Sequence, residues 1–476
     1  MAFAEGVANS ATPPANANTD TITRTASVGE DIIETQQGIA EAGTAVDVAP
    51  RLAEAVELIG EYQGSGFVEP RYIVRRADGQ LVQLPRLLYV LARSLDGQRN
   101  LPQLADVLSA EFGKLVEPQQ VSYLINQRLR PVGIVAPEPQ TAHFAKPAVQ
   151  SDPLLAFKFR VGLIPERLVW RIAGFFCPMF WPPMIVVGLI TFVSLDVLIF
   201  AQGGLGHIVP AALALVYQPV LTLLVLASIL VSAAFHECGH VSACRYGGAR
   251  PGKMGFGLYL VWPALYSTVT DSYRLSRAGR LRTDLGGVYF NAVFIAGMNL
   301  AYLYTQQPWL LVGIVALHIE TATQFLPMIR LDGYYILADL IGVPDLFSRM
   351  GPVLASMIPG RPTHPRVREL KPWVRRTITL WVLVVVPYLG YWLIGFLIVV
   401  PQVLPVVWHQ LLKSSQGVTA AASTGHIAEA TLGAVQILLL LLPWVGSLLL
   451  LGMIASGPAR WVLGRCGTAR LQAGRS

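Results

Sequence analysis

The sequence predicts a polytopic α-helical membrane protein with about six transmembrane helices, preceded by a small α+β domain of winged-helix type. Composition is the first observation: of 476 residues, 53% are hydrophobic and 14% charged, and the mean hydropathy is +0.50. These values exclude an ordinary water-soluble enzyme. The second observation is a series of apolar stretches of about 20 residues, the length that crosses a bilayer, starting near residue 172. The third is a group of short strand and helix patterns before them.

The first segment, residues 1–60, is rich in Ala, Thr, Asn and Gly and shows no sustained hydrophobic period. We expect it to be disordered. It contains no basic stretch followed by an apolar one, so no cleavable signal peptide is predicted and the N-terminus is expected to stay in the cytoplasm.

A small domain is predicted over residues 61–140, and a linker over 141–170. Strands RYIVRR and QLVQLP flank Asp78-Gly79, a dipeptide typical of hairpin turns. Apolar spacing and prolines at helix starts predict three helices, and PVGIVAP is expected to return as a strand. The predicted elements are strands 71–76 and 80–85, helices 85–95, 102–112 and 118–130, and strand 131–137.

A winged-helix pattern and a net charge of +7 raise the question of nucleic-acid binding. The third helix, PQQVSYLINQRLR, carries basic residues only at its C-terminal end, whereas a recognition helix offers them along one face. No nucleic-acid partner is therefore expected. The stretch LPRLLYVLARSLDGQRNLPQLADVL instead resembles the PqqD-like peptide-recognition domain. That family grips an extended leader peptide by adding a strand to the sheet edge, which is expected here to be the strand that contains Ile73. A tethering or dimerising domain is the alternative.

The predicted spans and the basic segments between them indicate one topology. Arginine and lysine cluster before the first, third and fifth spans and after the last, which places both termini and HECGH on the cytoplasmic side of a bacterial inner membrane. The candidate spans are 174–200, 212–235, 285–304, 309–329, 378–407 and 430–455.

The motif HECGH, residues 236–240, carries the chemistry. Residues four apart on a helix differ by roughly 40° in direction, so His236 and His240 share a face and are candidates to hold one Zn²⁺ per chain. Glu237 lies to the side of that face, where it is a candidate general base for a water molecule. Asp332, in QFLPMIRLDGYY at the end of the fourth predicted span, is the candidate third metal ligand. Ionisable residues at membrane depth are costly and usually functional.

HECGH followed by LDG resembles the site-2-protease family of intramembrane zinc metalloproteases, most of all its bacterial branch of peptide zinc metalloproteases with a PqqD-like domain. The resemblance covers about residues 60–340 and implies a protease core over 171–345. It also implies that His236, His240 and Asp332 bind zinc while Glu237 acts as the base. Further transmembrane helices are then expected over 346–456 and a basic cytoplasmic tail over 457–476.

Two other stretches resemble parts of that family. GGVYFN, residues 286–291, is similar to its glycine-and-asparagine motif, which implies that Asn291 holds the substrate backbone or the oxyanion. Residues 255–272 alternate and are rich in Tyr, Val and Thr, so they are a candidate for a membrane-embedded β-hairpin that holds substrate as a strand. The family often has Asn and Pro before the aspartate; here the nearest amide is Gln324.

Other polar residues have simpler explanations. His318 and Glu320 would lie ~20 Å from Asp332 along a continuous helix, where they would pair with each other or line a water path. Cys244 lies four residues after His240 on the same helix face and is an alternative zinc ligand, but it is expected to be a buried thiol. Asp339 ranks as a distant second metal ligand, and Asp271, Asp284 and the arginines of 274–282 are expected to form a solvated loop.

Three functional hypotheses remain at this point. The first is a zinc metalloprotease in the bilayer that cuts a peptide substrate, such as the leader of a ribosomally synthesised and modified peptide. The second is a non-catalytic peptide-binding scaffold or an export or immunity partner. The third is regulated intramembrane proteolysis of a membrane-bound regulator. The intact Glu237 favours an enzyme, because a scaffold has no need of a general base beside two histidines.

Overall fold

The computed structural model describes residues 49–77, 80–136, 159–259, 262–438 and 441, and over these residues the chain is mainly helical with two small sheets. The strands are β1 (Glu57–Glu61), β2 (Arg71–Arg75), β3 (Leu81–Pro85), β4 (Phe159–Ile164), β5 (Met254–Tyr259) and β6 (Trp262–Ser267). The helices are α1 (Arg86–Ser94), α2 (Leu101–Phe112), α3 (Pro118–Tyr123), α4 (Glu166–Phe176), α5 (Pro182–Ala201), α6 (Gly204–Tyr217), α7 (Pro219–Tyr246), α8 (Arg277–Thr305), α9 (Pro308–Gln324), α10 (Asp332–Ile341), α11 (Phe347–Ser356), α12 (Pro365–Arg368) and α13 (Pro372–Ser423).

The N-terminal domain packs three helices against an antiparallel sheet of order β1-β2-β3. Asn100 caps α2 through a hydrogen bond from the backbone N–H of Gln103, and Gly113 ends that helix in the left-handed conformation. After α3 the backbone continues as a π-helical turn, Leu124–Leu129. The core of the domain consists of buried aliphatic side chains from β2, the helices and the π-helical turn, among them Val74, Leu91, Leu108, Val121 and Leu129.

Three expectations for this domain need correction. Strand β1 lies inside the stretch predicted to be disordered, so the domain begins before residue 61. The expected strand 131–137 does not form in its described residues, which contain a single isolated β-bridge between Val135 and Leu52. Because β1 pairs with β2, β2 is a central strand and not the sheet edge. The expected Asp78-Gly79 turn lies outside the described residues, although β2 and β3 on either side of it do pair.

Among the described residues, four helices are long and apolar enough to cross a membrane: Pro182–Ala201, Val220–Tyr246, Arg277–Thr305 and Pro372–Gly395. They correspond to the first, second, third and fifth predicted spans. The fourth predicted span is the shorter α9, which ends at Gln324 and not at residue 329. The sixth predicted span, 430–455, lies mostly outside the described residues. Its described part belongs mainly to the apolar helix Ile427–Leu438.

The predicted hairpin over 255–272 is present as β5 and β6. An unexpected third strand, β4, pairs with β5, so the sheet has the order β4-β5-β6. Gly255 allows this pairing to be close, since a Cβ there would lie 2.0 Å from the carbonyl oxygen of Val161. Tyr266 of β6 packs against Ile329 and Leu331, which lie three residues and one residue before Asp332. The sheet therefore lies beside the segment that leads to the candidate metal ligand.

Candidate metal centre

The candidate centre begins with a close contact between α7 and α8. A Cβ at Gly239 of the HECGH motif would lie 2.2 Å from the carbonyl oxygen of Gly286, and one at Gly286 would lie 2.7 Å from that of Gly239. Only glycine allows two helix backbones to approach so closely. This contact presses the histidine-bearing face of α7 against α8.

Three side-chain donor atoms converge at this contact. The Nε2 atoms of His236 and His240 lie 3.0 Å apart, and Asp332 Oδ2 lies 3.1 Å from the first and 3.4 Å from the second. All three residues are buried. Ligands about 2.1 Å from a tetrahedral zinc ion lie roughly 3.4 Å from one another, so the donors have nearly the required separation. The donor set, two imidazoles and a carboxylate, is also one that zinc accepts.

The orientation of His240 supports metal binding. Its Nδ1 lies 2.8 Å from the carbonyl oxygen of Thr283. A carbonyl can only accept a hydrogen bond, so Nδ1 carries the proton and donates, which leaves a lone pair on Nε2. Histidine ligands of metals are commonly held in this way by a backbone carbonyl.

Gly287 leaves room for an ion at the three donors. A Cβ at this position would lie 2.4 Å from the Nε2 atoms of both His236 and His240. Any other residue would therefore fill the space at the imidazole tips. The residues present fit a zinc ion by their chemistry, their separation and the space that Gly287 leaves.

Asp332 reaches the histidines because the chain turns back before it. Helix α9 ends at Gln324, and α10 begins at Asp332 after an extended Leu331. Gly333 makes the turn possible, since a Cβ there would lie 2.2 Å from the carbonyl oxygen of Phe325. Asp332 thus lies at the N-terminal end of a helix, where a carboxylate is favoured.

Glu237, the candidate base, is half-buried beside this group. Within the described part of the chain, its Oε2 is buried and accepts no hydrogen bond. A buried carboxylate oxygen without a partner is unusual and costs free energy. Glu237 is therefore free to take a proton from a water molecule at the centre.

Asn291 lies one helical turn after Gly287 on α8 and is buried. Its Nδ2 donates to Thr321 Oγ1 at 3.1 Å and lies 3.4 Å from Glu320 Oε2. Its Oδ1 has no partner among the described residues. In this arrangement the free atom of Asn291 is an acceptor, which suits a substrate N–H better than an oxyanion.

The expectation that His318 and Glu320 pair with each other is wrong, and so is the continuous helix on which their distance from Asp332 was based. They do not pair with each other: His318 Nε2 lies 3.1 Å from Asp196 Oδ2, whereas Glu320 accepts from Gln324 at 2.9 Å. Since the chain is not helical between Gln324 and Asp332, the distance along a continuous helix does not apply. Glu320 instead belongs to the polar group around Asn291.

The cluster of Asp196, His318 and Asn299 joins α5, α9 and α8. Asn299 Nδ2 donates to Asp196 Oδ1 at 2.6 Å, and the His318 ring stacks on Phe192. Sequence reasoning missed the role of Asp196, although an aspartate within an apolar span is itself a signal.

Among the other candidates, Cys244 packs in an apolar cluster with Val169 and Val241, as expected of a buried thiol. Asp339 is not part of the group formed by the two histidines and Asp332. It forms a 2.9 Å ion pair with Arg280 instead. Burial raises the pKa of the Asp339 carboxyl above its ordinary value.

Asp271, Asp284 and Arg280 are all buried, so the expected solvated loop is wrong for them. The N-terminal domain covers this region, which the local sequence could not reveal.

A buried group of two histidines and an aspartate, with a free glutamate beside it, is the kind of site that zinc metalloproteases use. The chain is 29% identical over 122 residues to the "Putative peptide zinc metalloprotease protein YydH" of Bacillus subtilis (strain 168). The match covers 25% of this chain and about half, 48%, of that relative's length. No family model matches the chain, and no solved structure matches it. The similarity supports a metalloprotease-like function.

Proposed function

We propose that this protein is an intramembrane zinc metalloprotease of the site-2-protease type, with one zinc ion per chain. The observation that carries the proposal is the convergence of His236, His240 and Asp332 on a space that Gly287 leaves open. The similarity to a relative named as a peptide zinc metalloprotease supports the same chemistry.

The proposed roles follow from the geometry. Zinc, when bound, supplies Lewis-acid activation of the water and of the scissile carbonyl. Thr283 holds the His240 ring by its carbonyl oxygen, so that Nε2 faces the site. Glu237 takes the proton from the attacking water at its unpaired Oε2 and then gives it to the nitrogen of the departing amine. Water is consumed, and a carboxylic acid and an amine are formed.

The substrate is a peptide in an extended conformation. Helical peptides bond their carbonyls internally, whereas a strand added to a sheet edge leaves alternate groups accessible. Strand β6 is a sheet edge in the described residues, and its Tyr266 packs next to Leu331, the residue before Asp332. Asn291 Oδ1 is available to accept a backbone N–H of the same substrate.

The proposed substrate is the leader of a ribosomally synthesised and modified peptide, captured by a PqqD-like N-terminal domain. Because β2 is paired on both sides, a captured peptide must add to β1 or β3. The basic segments beside the apolar helices favour a multi-pass protein of the bacterial inner membrane with cytoplasmic termini.

The test is cleavage of a precursor peptide encoded next to the gene, by purified wild type and Glu237→Gln. Glutamine keeps the size of the side chain but cannot take the proton, so cleavage should be lost while zinc and peptide binding remain. The matched control is Glu166→Gln, an exposed glutamate of α4, which should cut like wild type. If the wild type binds the peptide but does not cut it, a non-catalytic peptide-binding scaffold replaces the protease. If Glu237→Gln cuts at the wild-type rate, Glu237 is not the base.

A further inference from the structure

The connection between β1 and β2, residues 62–70, contacts the helical part of the molecule through its buried residues Tyr62, Ser65, Gly66 and Phe67. Gly66 N donates to Gly342 O at 2.9 Å, and Lys371 N donates to Gly66 O at 2.9 Å. Phe67 packs in a cluster with residues of α10, α11 and α13. The N-terminal domain is therefore anchored between the end of α10 and the start of α13.

Within this connection, Tyr62 contacts a buried ion pair. Arg280 Nε donates to Asp339 Oδ1 at 2.9 Å, and their side chains are 0% and 3% exposed. The Tyr62 hydroxyl donates to the same Oδ1 at 3.1 Å, and the Arg280 guanidinium stacks 4.2 Å from the Tyr62 ring centroid. Arg280 also donates to the carbonyl oxygen of Gln63 at 3.0 Å. Burying an ion pair is costly unless such further hydrogen bonds complete it.

The ion pair joins the two helices that orient the metal donors. Arg280 precedes by three residues Thr283, whose carbonyl holds His240. Asp339 follows Asp332 by seven residues, two turns along α10. The distance between α8 and α10 at this ion pair therefore affects the distance between His240 Nε2 and Asp332 Oδ2, which is 3.4 Å.

We propose that Tyr62 is a positioning residue for the metal centre: by completing the Arg280–Asp339 pair, the N-terminal domain keeps α8 and α10 at the separation that zinc requires. This inference rests on the proposed function. The N-terminal domain then supports the geometry of the metal centre, in addition to its proposed role in peptide capture.

A second contact of the same domain provides a matched control. Arg71 forms a 2.8 Å ion pair with Glu369, buried to a similar degree, but Glu369 lies on the segment between α12 and α13 and not on α8 or α10. Burial lowers the pKa of the Arg71 guanidinium and raises that of the Glu369 carboxyl. Arg71→Gln therefore weakens the docking of the domain without touching the helices that orient the metal donors.

The experiment compares zinc affinity and the visible absorption spectrum of the Co²⁺-substituted protein for wild type, Tyr62→Phe, Asp339→Asn and Arg71→Gln, with Tm measured for each. Tyr62→Phe and Asp339→Asn should weaken zinc binding about tenfold, the lower end of losses seen for groups that support ligands, and should change the Co²⁺ spectrum. Arg71→Gln should lower Tm but keep the wild-type spectrum and affinity. Once a peptide that the protein cleaves has been identified, Tyr62→Phe should lower kcat for that peptide and leave KM unchanged.

The outcomes separate this inference from the proposed function. If Tyr62→Phe binds zinc and Co²⁺ like wild type, or if all three variants lose affinity in proportion to Tm, the positioning role is overturned while the metal centre stands. If the wild-type chain takes up neither metal, the proposed function fails and the positioning role fails with it.

Discussion

Gly287 lies against the tip of His236 so closely that a Cβ would be 2.4 Å from Nε2. The glycine is therefore required by the space that the proposed ion occupies. Its neighbour Gly286 serves a different purpose, the contact between the α7 and α8 backbones.

Gly287→Ala should weaken zinc binding and slow cleavage, because the added methyl group occupies the space at the imidazole tips. Zinc affinity should fall about tenfold or more. The control is Gly297→Ala on the same helix, where a Cβ meets nothing within 4 Å of the described residues. Metal analysis of the two purified proteins checks the prediction; equal zinc contents would contradict it.

The ligand set can be tested by zinc content alone. His236→Ala and Asp332→Ala should each reduce the content from about one ion per chain to a small fraction, since each removes one of three protein ligands. His318→Ala should retain the ion, because His318 bonds to Asp196 and not to the centre. Zinc retained in Asp332→Ala but lost in Cys244→Ala would show that the third ligand is misassigned.

Phe67→Ala should destabilise the protein by about 3–5 kcal/mol, the usual cost of removing a buried aromatic side chain. Phe67 is 4% exposed and is flanked by the guanidinium groups of Arg71 and Arg349. The adjacent Val68 is 62% exposed, so Val68→Ala should change stability by less than about 0.5 kcal/mol. Thermal unfolding in detergent measures both; similar losses would argue against the buried anchor.

The predicted topology assigns each loop to one side of the membrane, which reporter fusions can test. A reporter fused after residue 306, between α8 and α9, should lie outside the cell, and one after residue 345, between α10 and α11, should lie in the cytoplasm. Alkaline phosphatase and fluorescent-protein fusions measure the two locations. Both reporters on one side would mean that α9 does not cross the bilayer.

Much of this arrangement was predictable from local patterns. The spacing in HECGH predicted that His236 and His240 share a face, and their Nε2 atoms do meet. Apolar length predicted the four long apolar helices of the described residues, and alternation predicted the β5–β6 hairpin. The candidate role of Asp332 came from its position at the end of the fourth predicted span and from the family resemblance, and no local pattern shows that the chain turns back after Gln324.

The errors have a common physical cause. Asp271 and Arg280 look solvated in the sequence because neighbouring charges usually are, but contacts with residues some 200 positions earlier bury them. The close approach at Gly239 and Gly286 and the role of Gly287 likewise depend on two helices meeting in space. Two glycines in succession within an apolar helix, which cost helix stability, were the available signal.

Helix α13 has a length that no single bilayer crossing requires. Its 52 residues correspond to roughly 78 Å, against a hydrocarbon thickness of about 30 Å. Pro387 and Pro405 lack the N–H groups that would bond to preceding carbonyls, so the helix can bend at these points. The helix is longer than one crossing needs, so part of it extends beyond the hydrocarbon, where it meets headgroups, water or another chain. A protein whose N-terminal domain is anchored at the start of α13 thus also presents helical surface outside the hydrocarbon.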